Sequence, residues 1–321
     1  MPEKLRIIFM GTPEFAVESL RVLLEDNQQI VGVVTAPDKP AGRGKQIMES
    51  PVKNFARHAG IKPVLQPENL KDPLFIEKLK ALQADLQVVV AFRMLPELIW
   101  SMPHKGTINL HASLLPDYRG AAPINWVIIN GEKETGISTF FIDKDIDTGK
   151  IIDREKVTIT PDMNAGKLHD VLMQKGAQLL LKTVNTIASG TYSVIPQSEL
   201  LQDNTIHQAP KIYKDDCRIS WNNKARGIHN FIRGLSPYPA AWTEITDGKS
   251  RILFKIFECT SEMADHSYQL GTLLSDETTY LKAAVTDGFI SIRNLQIAGK
   301  KRMEISEFLR GFKNITSYSI T

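Results

Sequence analysis

The sequence predicts an α/β protein: an open, mostly parallel, Rossmann-like domain followed by a small C-terminal β-barrel domain. The first 160 residues alternate apolar runs of strand length with helical patterns, which is the pattern of βαβ units. From residue 211 the apolar runs are short, β-rich and separated by turns. Because 321 residues also fit two domains, we expect a catalytic domain over 1–188, a linker over 189–210 and a C-terminal domain over 211–321.

The first half of the chain begins with alternating strands and helices. Thr12 is a candidate N-cap with Pro13 at the first helical position, and Ser50-Pro51 repeats the same pattern. The loop over 36–45 is too rich in proline, glycine and positive charge for a helix or a strand. The predicted strands are Leu5–Met10, Ile30–Thr35, Pro63–Leu65 and Leu86–Ala91, and the predicted helices are Glu14–Leu24, Ser50–Arg57 and Pro73–Leu82.

The rest of the chain completes the first domain and forms the second. A strand over Gly106–Leu110, a helix over Pro123–Ile129, a hairpin of Ile137–Ile142 with Lys150–Thr158, and a long amphipathic helix after Pro161 finish the first domain. The second domain has one helix over Lys224–Leu235 and predicted strands at Ile219–Trp221, Trp242–Ile245, Ile252–Glu258, Gly271–Leu274, Ala283–Val285 and Gly288–Leu295.

Composition excludes several classes of protein. Cys217 and Cys259 are far apart and lack ligand spacing, so we expect neither a disulfide framework nor a metal site. The chain contains neither a signal-peptide pattern nor a membrane-length apolar run, which favours a cytoplasmic protein with no membrane partner. Net charge is only +3, yet residues 205–321 hold 16 basic against 12 acidic residues. Such a bias is ordinary for a solvated surface and is also what a phosphate backbone requires.

Three polar residues form the candidate catalytic set. Asn109 and His111 share one side of a strand if it continues through them, and Asp147 offers a carboxylate from a later turn. An imidazole beside a carboxylate can move protons, and an amide can stabilise an oxyanion, as acyl transfer requires. The absence of a G-x-S-x-G motif favours direct transfer over an acyl-enzyme. The alternative is that these residues only make local turn hydrogen bonds.

The string N-L-H-A-S-L-L-P-D-Y-R-G-A-A-P-I from Asn109, with the later D-I-D-T-G, resembles the signature of the 10-formyltetrahydrofolate-dependent formyltransferases. The resemblance implies that Asn109, His111 and Asp147 carry formyl transfer, with 10-formyltetrahydrofolate as donor, tetrahydrofolate as product and no metal. At Arg93 the family's usual pattern has a glycine. The residues that the resemblance assigns to the folate pocket are Phe92, Arg93, Met94, Leu95, Ser113, Leu114, Leu115, Pro116 and Asp143.

The run P-D-K-P-A-G-R-G-K resembles a basic loop found in the members of this family that formylate methionyl-tRNA. The C-terminal strings A-P-K-I, I-S-W, I-R-G-L-S-P-Y-P-A-A-W and G-K-K-R-M-E resemble segments of that branch's tRNA-contacting domain, which implies an OB-like β-barrel here. The resemblance therefore implies initiator methionyl-tRNA as the acceptor, and we expect a monomer. The residues expected to contact tRNA are Lys39, Arg43, Lys45, Lys211, Arg233, Lys300, Lys301 and Arg302.

Alternatives remain open from the sequence. Arg119 can pair with Asp117 at the surface or approach the acceptor end of the tRNA. The chain can instead be a formyltransferase for another small amine acceptor, or a non-catalytic RNA-binding protein. The basic loop argues against the first of these, and the intact Asn109, His111 and Asp147 set argues against the second.

Overall fold

The first strand of the chain lies inside a seven-stranded sheet. The structure is a computed structural model that describes residues 4–41, 46–201 and 206–320. The strands in this part of the chain are β1 (Arg6–Gly11), β2 (Gln29–Val34), β3 (Lys39–Ala41), β4 (Gln46–Met48), β5 (Val64–Leu65), β6 (Leu86–Val90), β7 (Thr107–His111), β8 (Glu134–Phe141) and β9 (Ile151–Thr158). The sheet order is β5-β2-β1-β6-β7-β8-β9, parallel from β5 to β7 and antiparallel thereafter. The predicted open, mostly parallel sheet is confirmed.

Side-chain caps explain where several helices begin. Ser50 Oγ accepts a hydrogen bond from the Lys53 amide at 3.1 Å, which confirms the predicted start at Ser50-Pro51. The prediction that Thr12 is an N-cap was wrong. Pro13 occupies the cap position of the helix Glu14–Glu25 in an extended conformation, and no side chain caps this helix. The helices are α1 (Glu14–Glu25), α2 (Pro51–His58), α3 (Pro73–Ala81), α4 (Glu97–Trp100), α5 (Pro123–Ile129), α6 (Ala165–Ser189), α7 (Ala225–Leu235) and α8 (Ile305–Gly311).

Residues 39–41 of the loop over 36–45 form the short strand β3, which corrects the prediction that this segment holds no strand. β3 pairs antiparallel with β4, with Lys39 opposite Met48. Asp38 anchors the start of β3, because its carboxylate binds Lys53 and accepts a hydrogen bond from Gln66 Nε2 at 2.8 Å. Two of the expected tRNA contacts, Arg43 and Lys45, lie outside the described residues.

The C-terminal strands form a nearly closed antiparallel barrel, which confirms the predicted small β-barrel. They are β10 (Ala241–Thr246), β11 (Arg251–Met263), β12 (Leu273–Ser275), β13 (Leu281–Val285), β14 (Gly288–Ile297), β15 (Met303–Glu304) and β16 (Ser319–Ile320). The sheet order is β12-β13-β14-β11-β10-β16, and a bridge between Thr272 and Ser319 connects its two edges. The predicted strand Ile219–Trp221 was wrong: these residues are irregular, and their apolar side chains are buried in the core of the barrel unit.

The two compact units interleave along the chain. The first comprises the described residues within 1–120, 134–158 and 169–208, and the second comprises those within 121–133, 159–168 and 209–321. Within the second unit, α5 packs against α7, where Asn125 Nδ2 donates to the Gly234 carbonyl at 2.7 Å. The candidate catalytic residues all lie in the first unit.

Candidate active site

Strand β7 places Asn109 and His111 on one face of the sheet. The strand extends through His111, with Asn109 opposite Val89 of β6 and His111 opposite Ser138 of β8. Side chains two residues apart in a strand project from the same face. Asn109 is half-buried, and its side-chain amide has no hydrogen-bond partner among the residues that the structure describes. The amide is therefore available to a ligand.

A backbone carbonyl orients the His111 ring. The imidazole is buried, and its Nε2 lies 2.9 Å from the carbonyl oxygen of Tyr118. Because a carbonyl oxygen can only accept a hydrogen bond, this contact requires a proton on Nε2. Nδ1 is then the ring atom that can gain or lose a proton, and it lies 3.8 Å from Asp147 Oδ2. The site therefore has a defined proton-accepting atom beside a carboxylate.

Asp147 lies in the loop that connects β8 to β9. Its backbone has a φ of 55°, and its Oδ2 accepts a hydrogen bond from the Gly120 amide at 2.9 Å. Gly149 ends the turn at a position that has no room for a side chain, because a Cβ there would lie 1.7 Å from the Phe141 carbonyl oxygen. This close approach explains the glycine in D-I-D-T-G.

Gln197 is a functional candidate that the sequence analysis missed. Its Nε2 donates to the carbonyl oxygens of Asp147 and Gly149 at 2.8 and 2.9 Å, and its Oε1 accepts from Arg119 Nε at 3.0 Å. Arg119 therefore binds Gln197, and Asp117 instead accepts a hydrogen bond from the His207 amide. Burial lowers the pKa of the Arg119 guanidinium, and the Asp147 charge opposes this effect. Gln197 lies in the predicted linker, where no sequence signal indicated it.

The segment after His111 is mostly occupied by internal bonds. Ser113 Oγ donates to the Asp117 carbonyl at 2.6 Å, and the Leu115 amide donates to Ser138 Oγ at 3.0 Å. Both Ser113 and Leu115 are completely buried, whereas Leu114 and Pro116 are half-buried. Two of the four predicted folate-pocket residues here therefore hold the turn by internal hydrogen bonds.

The segment after β6 shares a hydrophobic cluster with the loop that carries Asp147. Leu95 is buried in this cluster, and Phe92 and Ile142 pack against it. Arg93 donates hydrogen bonds to the Pro67 and Glu68 carbonyls, and its guanidinium lies 5.7 Å from the centre of the Phe92 ring. Met94 and Asp143, the remaining predicted folate-pocket residues, are exposed.

The residues expected to contact tRNA differ in whether their side chains are exposed or already form bonds within the protein. Lys39, Lys211 and Lys300 are exposed. Lys301 is also exposed but pairs with Glu307 at 3.1 Å, and Arg302 binds Asn294 and stacks on Phe257. Arg233 donates to the Met163 carbonyl at 2.7 Å and to Asn230, and burial lowers the pKa of its guanidinium. Arg233 is therefore the member most committed to internal packing.

Sequence and structure comparisons define the class. Residues 4–184 match the Formyl transferase family and residues 211–313 match the Formyl transferase C-terminal domain. An N-formyltransferase from Helicobacter canadensis in complex with folinic acid and dTDP-3-aminofucose has a similar fold, with a TM-score of 0.62 at 20% identity over 93% of this chain and 100% of that one. The fold and the matched domains are those of a formyltransferase.

Two curated relatives narrow this class. The methionyl-tRNA formyltransferase of Parabacteroides distasonis is 53% identical over 99% of both chains, and that of Azobacteroides pseudotrichonymphae is 55% identical over 96% of both. The chain belongs to the methionyl-tRNA formyltransferases.

Both cysteines are free and buried. Within the described ranges, no group of three or more His, Cys, Asp or Glu residues is placed to bind a metal ion. No helix in the same ranges has the length and apolar character needed to cross a membrane.

Proposed function

We propose that this protein transfers the formyl group of 10-formyltetrahydrofolate to the α-amine of methionine on initiator methionyl-tRNA. The observation that carries the proposal is that Asn109 and His111 share one face of β7 while the Asp147 carboxylate lies 3.8 Å from the His111 ring. The chain that holds them is 53% identical to a methionyl-tRNA formyltransferase over 99% of both chains. The transfer is direct, with no acyl-enzyme. The amine attacks the formyl carbon to form a tetrahedral species, the bond between that carbon and the folate nitrogen then breaks, and the proton released by the amine passes to this nitrogen to give tetrahydrofolate.

The three residues have separate roles in this proposal. The unpartnered amide of Asn109 donates a hydrogen bond to the formyl oxygen as that oxygen gains negative charge. Nδ1 of His111 takes the proton that the attacking amine releases, since Nε2 is bound to the Tyr118 carbonyl. The carboxylate of Asp147, 3.8 Å from Nδ1, stabilises the positive charge on the ring.

Chemical fit supports a folate donor at this site. A pterin is flat and largely apolar at its faces, so its pocket needs apolar side chains beside backbone polar groups. Leu95 and Ile142 belong to one cluster, and Met94 and Ile146 on the same two segments expose most of their surfaces. We propose that Phe92–Leu95, Leu114, Pro116 and Asp143 contact the donor, with Ser113 and Leu115 supporting them from within. When bound, the donor supplies the activated formyl group.

A tRNA acceptor is anionic, so its binding requires positive charge on the protein. We propose that Lys39, Arg43 and Lys45 contact tRNA from the first unit, and Lys211, Arg233, Lys300, Lys301 and Arg302 from the second. The exposed lysines carry most of this role, because Arg233 and Arg302 already bind neighbouring groups. We further propose a cytoplasmic monomer.

The decisive experiment measures formyl transfer from 10-formyltetrahydrofolate to three acceptors: charged initiator tRNA, charged elongator methionine tRNA and free methionine. Preferential formylation of the initiator is the expected result. Transfer only to a small amine would overturn the tRNA assignment and select the alternative formyltransferase. Binding of tRNA without any transfer would select the non-catalytic RNA-binding protein.

The same assay tests the role of Asn109. Asn109→Ala removes the oxyanion donor and is expected to lower kcat about 100- to 1000-fold. Asn54→Ala, on α2, is the matched control and is expected to leave kcat unchanged. Near-wild-type turnover of Asn109→Ala would exclude the proposed role of this amide.

A further inference from the structure

Gln197 is a buried glutamine that is followed by two exposed residues. Only 3% of its surface is exposed, whereas Ser198 and Glu199 in the same short 3-10 helix, Gln197–Leu200, face solvent. Both ends of its amide are bound: Nε2 donates to the Asp147 and Gly149 carbonyls, and Oε1 accepts from Arg119. A buried amide costs free energy unless it is fully bonded, and here every bond goes to the turn that carries Asp147 or to the arginine beside it.

The turn held by Gln197 has an unfavourable backbone conformation. Asp147 has a φ of 55°, in the left-handed region that residues other than glycine adopt much less often. The two hydrogen bonds from Gln197 Nε2 fall on the carbonyls of residues 147 and 149, on either side of Thr148. Gln197 therefore stabilises the conformation that brings the Asp147 carboxylate to 3.8 Å from His111.

The fold gives this contact a rigid base. The segment that carries Gln197 is anchored just before it, where the Ile195 and Ile151 backbones exchange hydrogen bonds of 2.8 and 2.9 Å. Ile151 begins β9, the strand that follows the Asp147 loop. Gln197 thus connects the loop to the sheet edge that follows it, and the amide is held independently of any ligand.

We propose that Gln197 is a positioning residue of formyl transfer: it holds the Asp147 carboxylate beside His111 Nδ1 and fixes Arg119 next to it. This inference rests on the proposed function. Gln197 does not touch the reacting atoms and acts through Asp147. Residues that orient a catalytic group in this way affect the rate of the chemical step more than the binding of substrates.

The first test replaces Gln197 by Met, which has similar volume and no amide. We expect kcat to fall about 10- to 100-fold, while KM for 10-formyltetrahydrofolate and for tRNA stays within about threefold. The exposed neighbour variant Glu199→Gln is the control and should retain wild-type kcat. An unchanged kcat in Gln197→Met would overturn the proposal, as would a loss confined to KM.

A second variant separates the two partners of the amide. Gln197→Glu keeps an acceptor for Arg119 and removes both donors to the Asp147 turn. If Gln197 acts by holding this turn, Gln197→Glu will be as slow as Gln197→Met. Near-wild-type kcat in Gln197→Glu would show that only the bond to Arg119 matters and would overturn the role assigned through Asp147.

A measurement without substrate distinguishes positioning from general stability. The Gly120 amide donates to Asp147 Oδ2, so its hydrogen-exchange rate reports whether the carboxylate is in place. By NMR we expect Gly120 to exchange faster in Gln197→Met, while amides of central strands such as Val88 keep their wild-type rates. Unchanged Gly120 exchange, or equal acceleration everywhere, would overturn the proposal. If the wild-type protein formylated no tRNA, the proposed function would fail, and the Gly120 rate would still decide whether Gln197 holds Asp147.

Discussion

Nε2 of His111 lies 2.9 Å from the carbonyl oxygen of Tyr118, so the peptide backbone fixes which ring nitrogen takes part in proton transfer. Nδ1 is thereby left beside Asp147, at a distance that suits charge stabilisation better than a direct hydrogen bond. The carboxylate is held in turn by the Gly120 amide. The ring and the carboxylate are positioned separately, and their roles can therefore be tested separately.

Replacement of His111 by Gln tests proton transfer. The glutamine amide can still donate to the Tyr118 carbonyl, but it cannot act as a base or an acid near neutral pH. We expect kcat/KM to fall at least about 100-fold, with little change in the melting temperature. His104→Ala, at an exposed histidine, is the control. Retained turnover in His111→Gln would mean that another group moves the proton.

Asp147 allows a matched pair of substitutions. Asn tolerates the left-handed backbone and its side-chain oxygen can accept from the Gly120 amide, so Asp147→Asn removes mainly the charge. We expect Asp147→Asn to lose kcat about 100-fold or more and to unfold near the wild-type temperature. Asp147→Ala should lose both activity and stability. Full activity in Asp147→Asn would show that the negative charge is not needed.

Much of the sheet follows from local sequence patterns. Leu86–Val90 is apolar apart from Gln87 and forms a strand buried along its whole length, and Ser50 before Pro51 caps α2 as its residue type predicts. The sequence also predicts that the side chains of Asn109 and His111 share one face, because residues two apart in a strand project from the same side. These features depend on neighbours within a few residues.

Other features depend on contacts that no local pattern carries. Ile219 and Trp221 are apolar because they fill the core of the barrel unit, although their backbone is irregular. The acceptor for His111 is a backbone carbonyl, which every residue has, and Gln197 lies in a segment without periodicity. Only the tertiary fold brings these groups to the site.

Gly149 tests the tight turn beside Asp147. A Cβ at this position would overlap the Phe141 carbonyl, so Gly149→Ala must displace backbone. We expect the free energy of unfolding to fall by about 2 kcal/mol or more, together with a loss of activity. Gly227→Ala is the control, since a Cβ there meets nothing within 4 Å and alanine favours the helix. Urea denaturation of both variants provides the measurement, and equal stabilities would contradict the expectation.

Cys259 links stability to pH. Burial, with a smaller contribution from the Glu258 charge, raises the pKa of its thiol from 9.0 to about 12. The folded protein therefore keeps this proton at pH values where the unfolded chain loses it. Stability from Cys259 is complete below pH 9 and is lost as pH rises toward 12. Between these values, Cys259→Ala should show a shallower fall in the free energy of unfolding than wild type, by up to about 1.4 kcal/mol per pH unit. Parallel curves would contradict this.

Arg93 connects the chain after β6 to the chain after β5, because its guanidinium donates to the Pro67 and Glu68 carbonyls. If Phe92–Leu95 forms part of the donor pocket, Arg93→Ala will loosen that wall and raise KM for 10-formyltetrahydrofolate about 3- to 30-fold, as expected for the loss of hydrogen bonds from a charged group. KM for tRNA and kcat should change little, since Asn109, His111 and Asp147 are untouched.

Arg93→Lys and Arg57→Ala complete this experiment. A lysine cannot reproduce the fork that reaches two carbonyls, so Arg93→Lys should lie between wild type and Arg93→Ala. Arg57 is an exposed arginine paired with Glu49, and its replacement should leave both KM values unchanged. A rise in KM for tRNA alone would assign Arg93 to the acceptor side. A fall in kcat with an unchanged KM for the donor would instead show that Arg93 affects the chemical step. A residue that only shapes the donor pocket is expected to change KM for the donor and to leave kcat unchanged.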